Sequence, residues 1–186
     1  LISDVCSFDL RIIKMDDEEV KSFMAFLPNN NYIISGHDPF WRIMNQPGNK
    51  LAIDEVFYQL AGVPIENKWS EFYVPRNLER EKWVFNQLGL VEGEEFAFVH
   101  DDERRKIVKN LPTIKTVRPS NKEFSLFDFI YTIEQAKEIH CINSSFFCFI
   151  DCMKIEKENM YVHEYVRPDA TDESLGKFAC NWKIIR

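Results

Sequence analysis

From Phe96 to Val166 short apolar runs of strand character alternate with longer segments of helical period: Phe96–His100, Ile114–Val117, Leu126–Ala136, Glu138–Ile142, Ser144–Met153 and Met160–Val166. Strands separated by helical segments do not close as tight hairpins, so the alternation predicts crossover connections and a parallel sheet. A parallel sheet needs cover from helices, which gives an α/β class: a Rossmann-like parallel sheet with flanking helices. Ligands in such folds sit beyond the carboxyl ends of the strands, which draws attention to the loops that open at His100, Arg118 and Asn143.

Upstream the pattern is looser. Leu10–Ile13 reads as a short strand, and Asp16 with Glu19 starts a helix that Pro28 and Asn29–Asn31 stop near Leu27. Tyr32–Ile34 reads as a second strand that ends in the turn-like Ser35–Pro39, and Leu51–Leu60 as a helix ended by Gly62 and Pro64. Glu66–Val74 is aromatic and irregular, and in a non-catalytic interaction module its Trp69, Phe72 and Tyr73 would be exposed to meet a partner chain. Asn77–Leu88 is an amphipathic helix with Leu78, Trp83, Val84 and Leu88 on its apolar side and Gly89 as cap. Two lobes follow: residues 1–75, a partial β-α lobe, and residues 76–186, a Rossmann-like nucleotide-binding lobe.

The net charge of -7 and pI near 5.2 argue against a nucleic-acid partner, which needs a clustered Lys/Arg excess. No apolar run reaches the roughly 18 residues of a transmembrane helix, and no basic segment precedes an apolar stretch at the start, so a cytoplasmic protein is expected. The chain opens on Leu1-Ile2-Ser3 and passes at once into strand-like sequence, as a piece of a longer protein would. The five cysteines, Cys6, Cys141, Cys148, Cys152 and Cys180, include no C-x-x-C pair, and core packing is expected of them. Cys148 and Cys152 share a helical face, yet no histidine has the spacing to complete a metal site. No metal and no cofactor are expected, and a homo-oligomer is left open.

Two polar constellations interrupt the apolar pattern. In the first, His100 ends a hydrophobic strand and opens Asp101-Asp102-Glu103-Arg104-Arg105, where His100 and the forked guanidinium of Arg104 or Arg105 suit a diphosphate. The same residues also make a solvated turn in which the arginines pair with the acids. In the second, Asn143, Ser144 and Ser145 follow a strand and open a helix, either as ordinary caps or as an anion site built from free amides and the helix dipole. His140 lies among apolar neighbours and reads as a structural, hydrogen-bonded histidine. Candidates for a catalytic base are His37 with Asp38 and, on an alternating strand, His163. Signatures for dinucleotide binding, P-loop hydrolysis, a hydrolase elbow and zincin chemistry are all missing from the sequence.

Trp69–Glu81, Phe98–Asp102 and Ile139–Asp151, followed by His163 and Arg167, resemble in order and spacing a group of small bacterial and phage-associated glycosyltransferases of the heptosyltransferase-like and fucosyltransferase-like GT-B type. The resemblance covers most of residues 55 to 186. It implies a GT-B-like fold whose C-terminal Rossmann-like half binds a nucleotide-sugar donor, with His100 and Arg104 or Arg105 near the diphosphate and Asn143, Ser144 and Ser145 at the helix N-terminus. It further implies metal-independent transfer of the sugar to a hydroxyl acceptor. Two departures stand out: no glycine-rich β-α start precedes the first strand, and Glu103-Arg104-Arg105 stands where the family carries small residues beside the arginine. A non-catalytic α/β binding or interaction module and a nucleotide-responsive regulator are the other functions compatible with the sequence.

Overall fold

The computed structural model describes residues 18, 37–119, 124–166 and 175–186. Its centre is a five-stranded sheet in which every paired neighbour is parallel: β1 (Phe96–His100), β2 (Lys115–Val117), β3 (Glu138–Ile142), β4 (Asn159–His163) and β5 (Lys183–Ile185), in the order β2-β1-β3-β4-β5. The helices are α1 (His37–Met44), α2 (Ile53–Ala61), the single turn α3 (Asn67–Ser70), α4 (Leu78–Gln87), a 3-10 turn (Leu126–Phe129) that runs into α5 (Ile130–Gln135), and α6 (Ser145–Cys152). The predicted α/β, Rossmann-like parallel sheet with flanking helices is therefore the observed architecture.

Side-chain alternation divides the sheet into two unlike faces. Phe96, Phe98, Val117, Ile139, Cys141, Met160 and Val162 pack beneath Val84 and Phe85 of α4, Phe129, Ile130 and Ile133, and Phe146, Phe147, Phe149 and Ile150 of α6. Phe96 and Phe98 are 0% exposed, and burying such a side chain is worth roughly 1.5–3 kcal/mol, so this aromatic layer is the main cohesive element. The opposite face carries a smaller apolar cluster of Ala97, Val99 and Ile142 closed by Ile107 of the loop after β1. By register, His140, Tyr161 and His163 share that second face.

Two buried carboxylates tie the helices to this frame. Asp151, 1% exposed at the end of α6, accepts hydrogen bonds from the Ala179 amide (2.9 Å), the Cys180 amide (3.0 Å), Trp182 Nε1 (3.3 Å) and Trp69 Nε1 (2.7 Å). It thereby joins α3, α6 and the segment leading into β5. Glu81, likewise 1% exposed, receives the Arg76 guanidinium and the Tyr131 amide, while the other edge of Arg76 forks onto Glu134 (2.8 and 3.0 Å). This network clamps α4 to α5.

Several sequence expectations are corrected. Ser35–Pro39 is not all turn: His37 opens α1, with Pro39 in the first turn, where its missing N–H costs the helix nothing. Leu10–Ile13 and Tyr32–Ile34 lie outside the described residues. On α4, Leu78 and Trp83 are exposed (50% and 45%), and the inner face is Glu81, Val84 and Phe85. Arg76 makes a buried glutamate cheaper there than an apolar periodicity would suggest. The last segment read as Met160–Val166 ends as a strand at His163, and β5 was not anticipated. Gly62 (φ 66°) and Gly89 (φ 70°) do occupy the left-handed positions just past α2 and α4.

The four described cysteines are free. Cys141 and Cys180 are core residues as expected, whereas Cys148 is exposed and Cys152 half-buried. Desolvation pushes the Cys148 thiol up and that of Cys152 up to about 11, so neither is a ready thiolate. Among the described residues no helix is long and apolar enough to cross a membrane.

Candidate functional site

In the order β2-β1-β3-β4-β5 the chain leaves β1 toward one edge and β3 toward the other, so a crevice opens at the carboxyl ends of these two neighbours. His100 ends β1 and Ser144 precedes α6. Their side chains share a hydrogen bond, Ser144 Oγ to His100 Nδ1, of 3.0 Å. The His100 ring lies against Phe146, ring centroids 4.3 Å apart, which fixes the imidazole over the start of α6. Desolvation lowers the His100 pKa from its ordinary value, outweighing the pull of Asp101 and Asp102. At neutral pH the ring is therefore an uncharged hydrogen-bonding group.

Ser144 occupies the N-cap position of α6 with extended backbone, yet its hydroxyl makes no capping bond, being engaged by His100 instead. Among the described residues no N-cap side chain therefore covers the first-turn amides of α6, and Ser145 is exposed beside them. Such amides, aligned with the helix dipole, favour negative charge in front of the helix. Asn143 is half-buried between β3 and Ser144.

The loop after β1 is organised by its acids. Asp101 accepts the Ile107 amide (3.1 Å) and Arg118 Nε (3.2 Å), with its own side chain 3% exposed. Asp102 accepts the amides of Arg104 (3.0 Å) and Arg105 (2.8 Å), and its second oxygen holds the Arg105 guanidinium through Nε (2.8 Å) and Nη2. That guanidinium keeps the Asp102 carboxyl below the usual carboxylate range. Of the paired arginines, Arg105 is thus committed to Asp102 as the solvated-turn reading anticipates, while Arg104 is exposed. The structure brings His100, Ser144 and the acids of the loop together, and leaves Arg105 needing to exchange a partner before it meets a ligand.

The base candidates fare differently. The backbone of His37 and Asp38 lies in α1, with their side chains outside the described residues, and Arg167 lies outside the described residues altogether. His163 is 0% exposed and bonded to His140, Nε2 to Nδ1, at 3.1 Å. His140 is indeed a hydrogen-bonded interior histidine, its Nε2 also 3.4 Å from Glu138. Trp69, read as part of an exposed aromatic surface, spends its indole N–H on Asp151, while Phe72 and Tyr73 are exposed (40% and 66%).

Sequence reading missed Tyr165, whose hydroxyl oxygen accepts the amides of Val108 (2.7 Å) and Lys109 (2.8 Å) and pins the loop to the end of β4. A tyrosine two residues past the last strand histidine was the only available signal. Surface hollows elsewhere, of about 250 Å³ beside Phe85, Glu94 and Lys137 and about 370 Å³ beside Phe57 and Val63, carry none of these groups. Among the described residues no three His, Cys, Asp or Glu side chains gather as a metal-ligand set.

No protein-family model, curated protein or solved structure matches this chain. The functional reading therefore rests on the chain's own topology and side chains.

Proposed function

We propose that the crevice between the carboxyl ends of β1 and β3 binds the diphosphate of a nucleotide sugar, and that the protein transfers the sugar to a hydroxyl acceptor without a metal ion. The observation that carries this reading is the Ser144–His100 hydrogen bond at the switch point of the sheet, which leaves the first turn of α6 without a cap from its N-cap side chain. An anion in front of α6 meets amide donors and the positive end of the helix dipole, and the neutral His100 adds a hydrogen bond without charge. In glycosyl transfer the charge that grows on the departing diphosphate is stabilised by those same preorganised donors. Exposed Arg104 is the guanidinium free to follow the phosphates, and Arg105 joins if it exchanges Asp102 for them.

Calorimetric titration of the parent and of Ser144→Ala and Arg104→Ala with uridine and guanosine diphosphates tests the reading. Loss of a charge-assisted hydrogen bond is expected to weaken binding by roughly 1.5–3 kcal/mol in the arginine variant. Equal affinity in all three proteins removes the site. The second reading, a binding module without chemistry, is favoured by one observation: Asp101 and Asp102 already hold Arg118 and Arg105. It predicts diphosphate binding, if any, with no turnover of the sugar conjugate.

A further inference from the structure

Beneath the site, on the face of the sheet away from α6, Glu138, His140 and His163 form a chain. Glu138 Oε2 lies 3.4 Å from His140 Nε2, and His140 Nδ1 lies 3.1 Å from His163 Nε2. The two imidazoles are 1% and 0% exposed and stack at 5.3 Å. Tyr161 stacks on His140 at 4.6 Å and Tyr165 meets His163 edge-on at 5.7 Å. The far nitrogen, His163 Nδ1, is buried with no hydrogen-bond partner among the described residues.

The direction of the chain follows from proton counting. A Glu138 carboxylate accepts from His140 Nε2–H, so His140 Nδ1 is a bare acceptor and His163 Nε2–H must donate to it. His163 Nδ1 is then unprotonated, the one state in which burial without a donor nearby costs least. Add a single proton to the pair while both hydrogen bonds are kept: one hydrogen faces Glu138, one lies between the rings, and the third can only sit on His163 Nδ1. That creates a buried N–H with no acceptor among the described residues and a positive charge on the pair, an expensive arrangement that movement of what lies over it would relieve.

What lies over it is the loop that walls the crevice. Tyr165, against His163, accepts the Val108 and Lys109 amides, and Ile107 of the same loop closes the small apolar cluster with Ala97, Val99 and Ile142. The charged and titratable groups around the pair are Glu138 from β3, Tyr161 and Tyr165 from the β4 strand and its extension, Asp101 from the loop, and Lys109 and Lys183, which lie over the rings of Tyr165 (4.6 Å) and Tyr161 (5.2 Å). Of these described groups only Glu138 hydrogen-bonds an imidazole of the pair, at the end of the chain remote from His163 Nδ1.

We propose that Glu138, His140 and His163 form an acid-sensitive latch: with both imidazoles neutral Tyr165 holds the 101–110 loop closed against the sheet, and protonation of the pair releases it. The latch is a property of the fold and stands whether or not the crevice takes a diphosphate. Desolvation, with the neighbouring His140 adding to it, already holds the His163 pKa down, in keeping with a closed neutral state.

The test is amide hydrogen exchange by NMR at pH 7.5 and 5.0, corrected to protection factors, on the parent, His163→Phe and Tyr165→Phe. Protection at Val108 and Lys109 is expected to fall at least tenfold in the parent at pH 5.0 while Phe98 and Ile139 keep theirs. It is expected to be pH-independent in His163→Phe and low at both pH values in Tyr165→Phe. Histidine ring resonances followed in the parent give a second readout that needs no folded variant, since loop protection should be lost together with the titration of the pair. Unchanged protection in the parent, or loss at a pH where both rings remain neutral, overturns the proposal.

Discussion

Removing the Asp151 carboxylate is the perturbation whose cost follows most directly from the structure. Asp151→Ala strips the acceptor from two backbone amides and two indole N–H groups at 2.7–3.3 Å. The Ala179 amide and Trp69 indole lie in partly open surroundings and regain water, whereas the Cys180 amide and Trp182 indole are enclosed. Counting only the two enclosed donors, at about 1.5–3 kcal/mol for each lost bond to a charged group, the variant is destabilised by roughly 3–6 kcal/mol. Asp151→Asn retains one carbonyl oxygen but turns an NH2 toward N–H donors, so about half of that loss is expected. Urea unfolding followed by circular dichroism gives the free energy, and exchange at Ala179 and Cys180 locates it. A loss below about 1 kcal/mol with those two amides still protected would refute the assignment of Asp151 as the joint between α6 and the segment leading to β5.

Stability should also fall in acid. The unfolded chain takes a proton on histidine near pH 6.5, whereas buried His163 resists until about 4 and His140 and His100 are shifted in the same direction. Stability is therefore full above about pH 6.5 and declines as pH drops toward 4, by about 2 kcal/mol at pH 5 from His163 alone; denaturation midpoints across this range that stay level count against it. Gly176, at φ 67°, lies so close to α2 that a Cβ would come within 2.8 Å of Asp54 Oδ1 and 2.9 Å of Ala52 Cβ. Gly176→Ala is expected to cost roughly 1–3 kcal/mol in thermal or urea unfolding. Arg76→Ala leaves Glu81 buried without its counter-charge and should cost about 3–5 kcal/mol, a loss that Glu81→Gln in the same chain partly restores.

The sheet was legible because its strands are nearly continuous apolar runs: β1 and β3 coincide with Phe96–His100 and Glu138–Ile142, and the helix after β3 differs by a residue at each end. β5 escaped because Lys183–Ile185 is three residues long, with its side chains mostly exposed, and depends on pairing with β4. Burial on α4 was misread because Glu81 turns inward to meet Arg76, itself held by Glu134 58 residues away, and the Tyr131 amide 50 residues away, and periodicity carries no such information. At the site, the strand ends at His100 and Ser144 could be found from local sequence. That Ser144 faces His100 and that His140 meets His163 depends on register between strands, which a single sequence does not express.

The central claim, an anion site at the crevice of β1 and β3, is tested most directly by amide chemical-shift mapping of the labelled chain titrated with uridine, guanosine and adenosine diphosphates, with and without Mg²⁺. The account predicts saturable, metal-independent shifts for one of them, concentrated at Ser145, Phe146 and Phe147 and at the His100 ring. Shifts that never saturate, or that gather away from the first turn of α6, would contradict it.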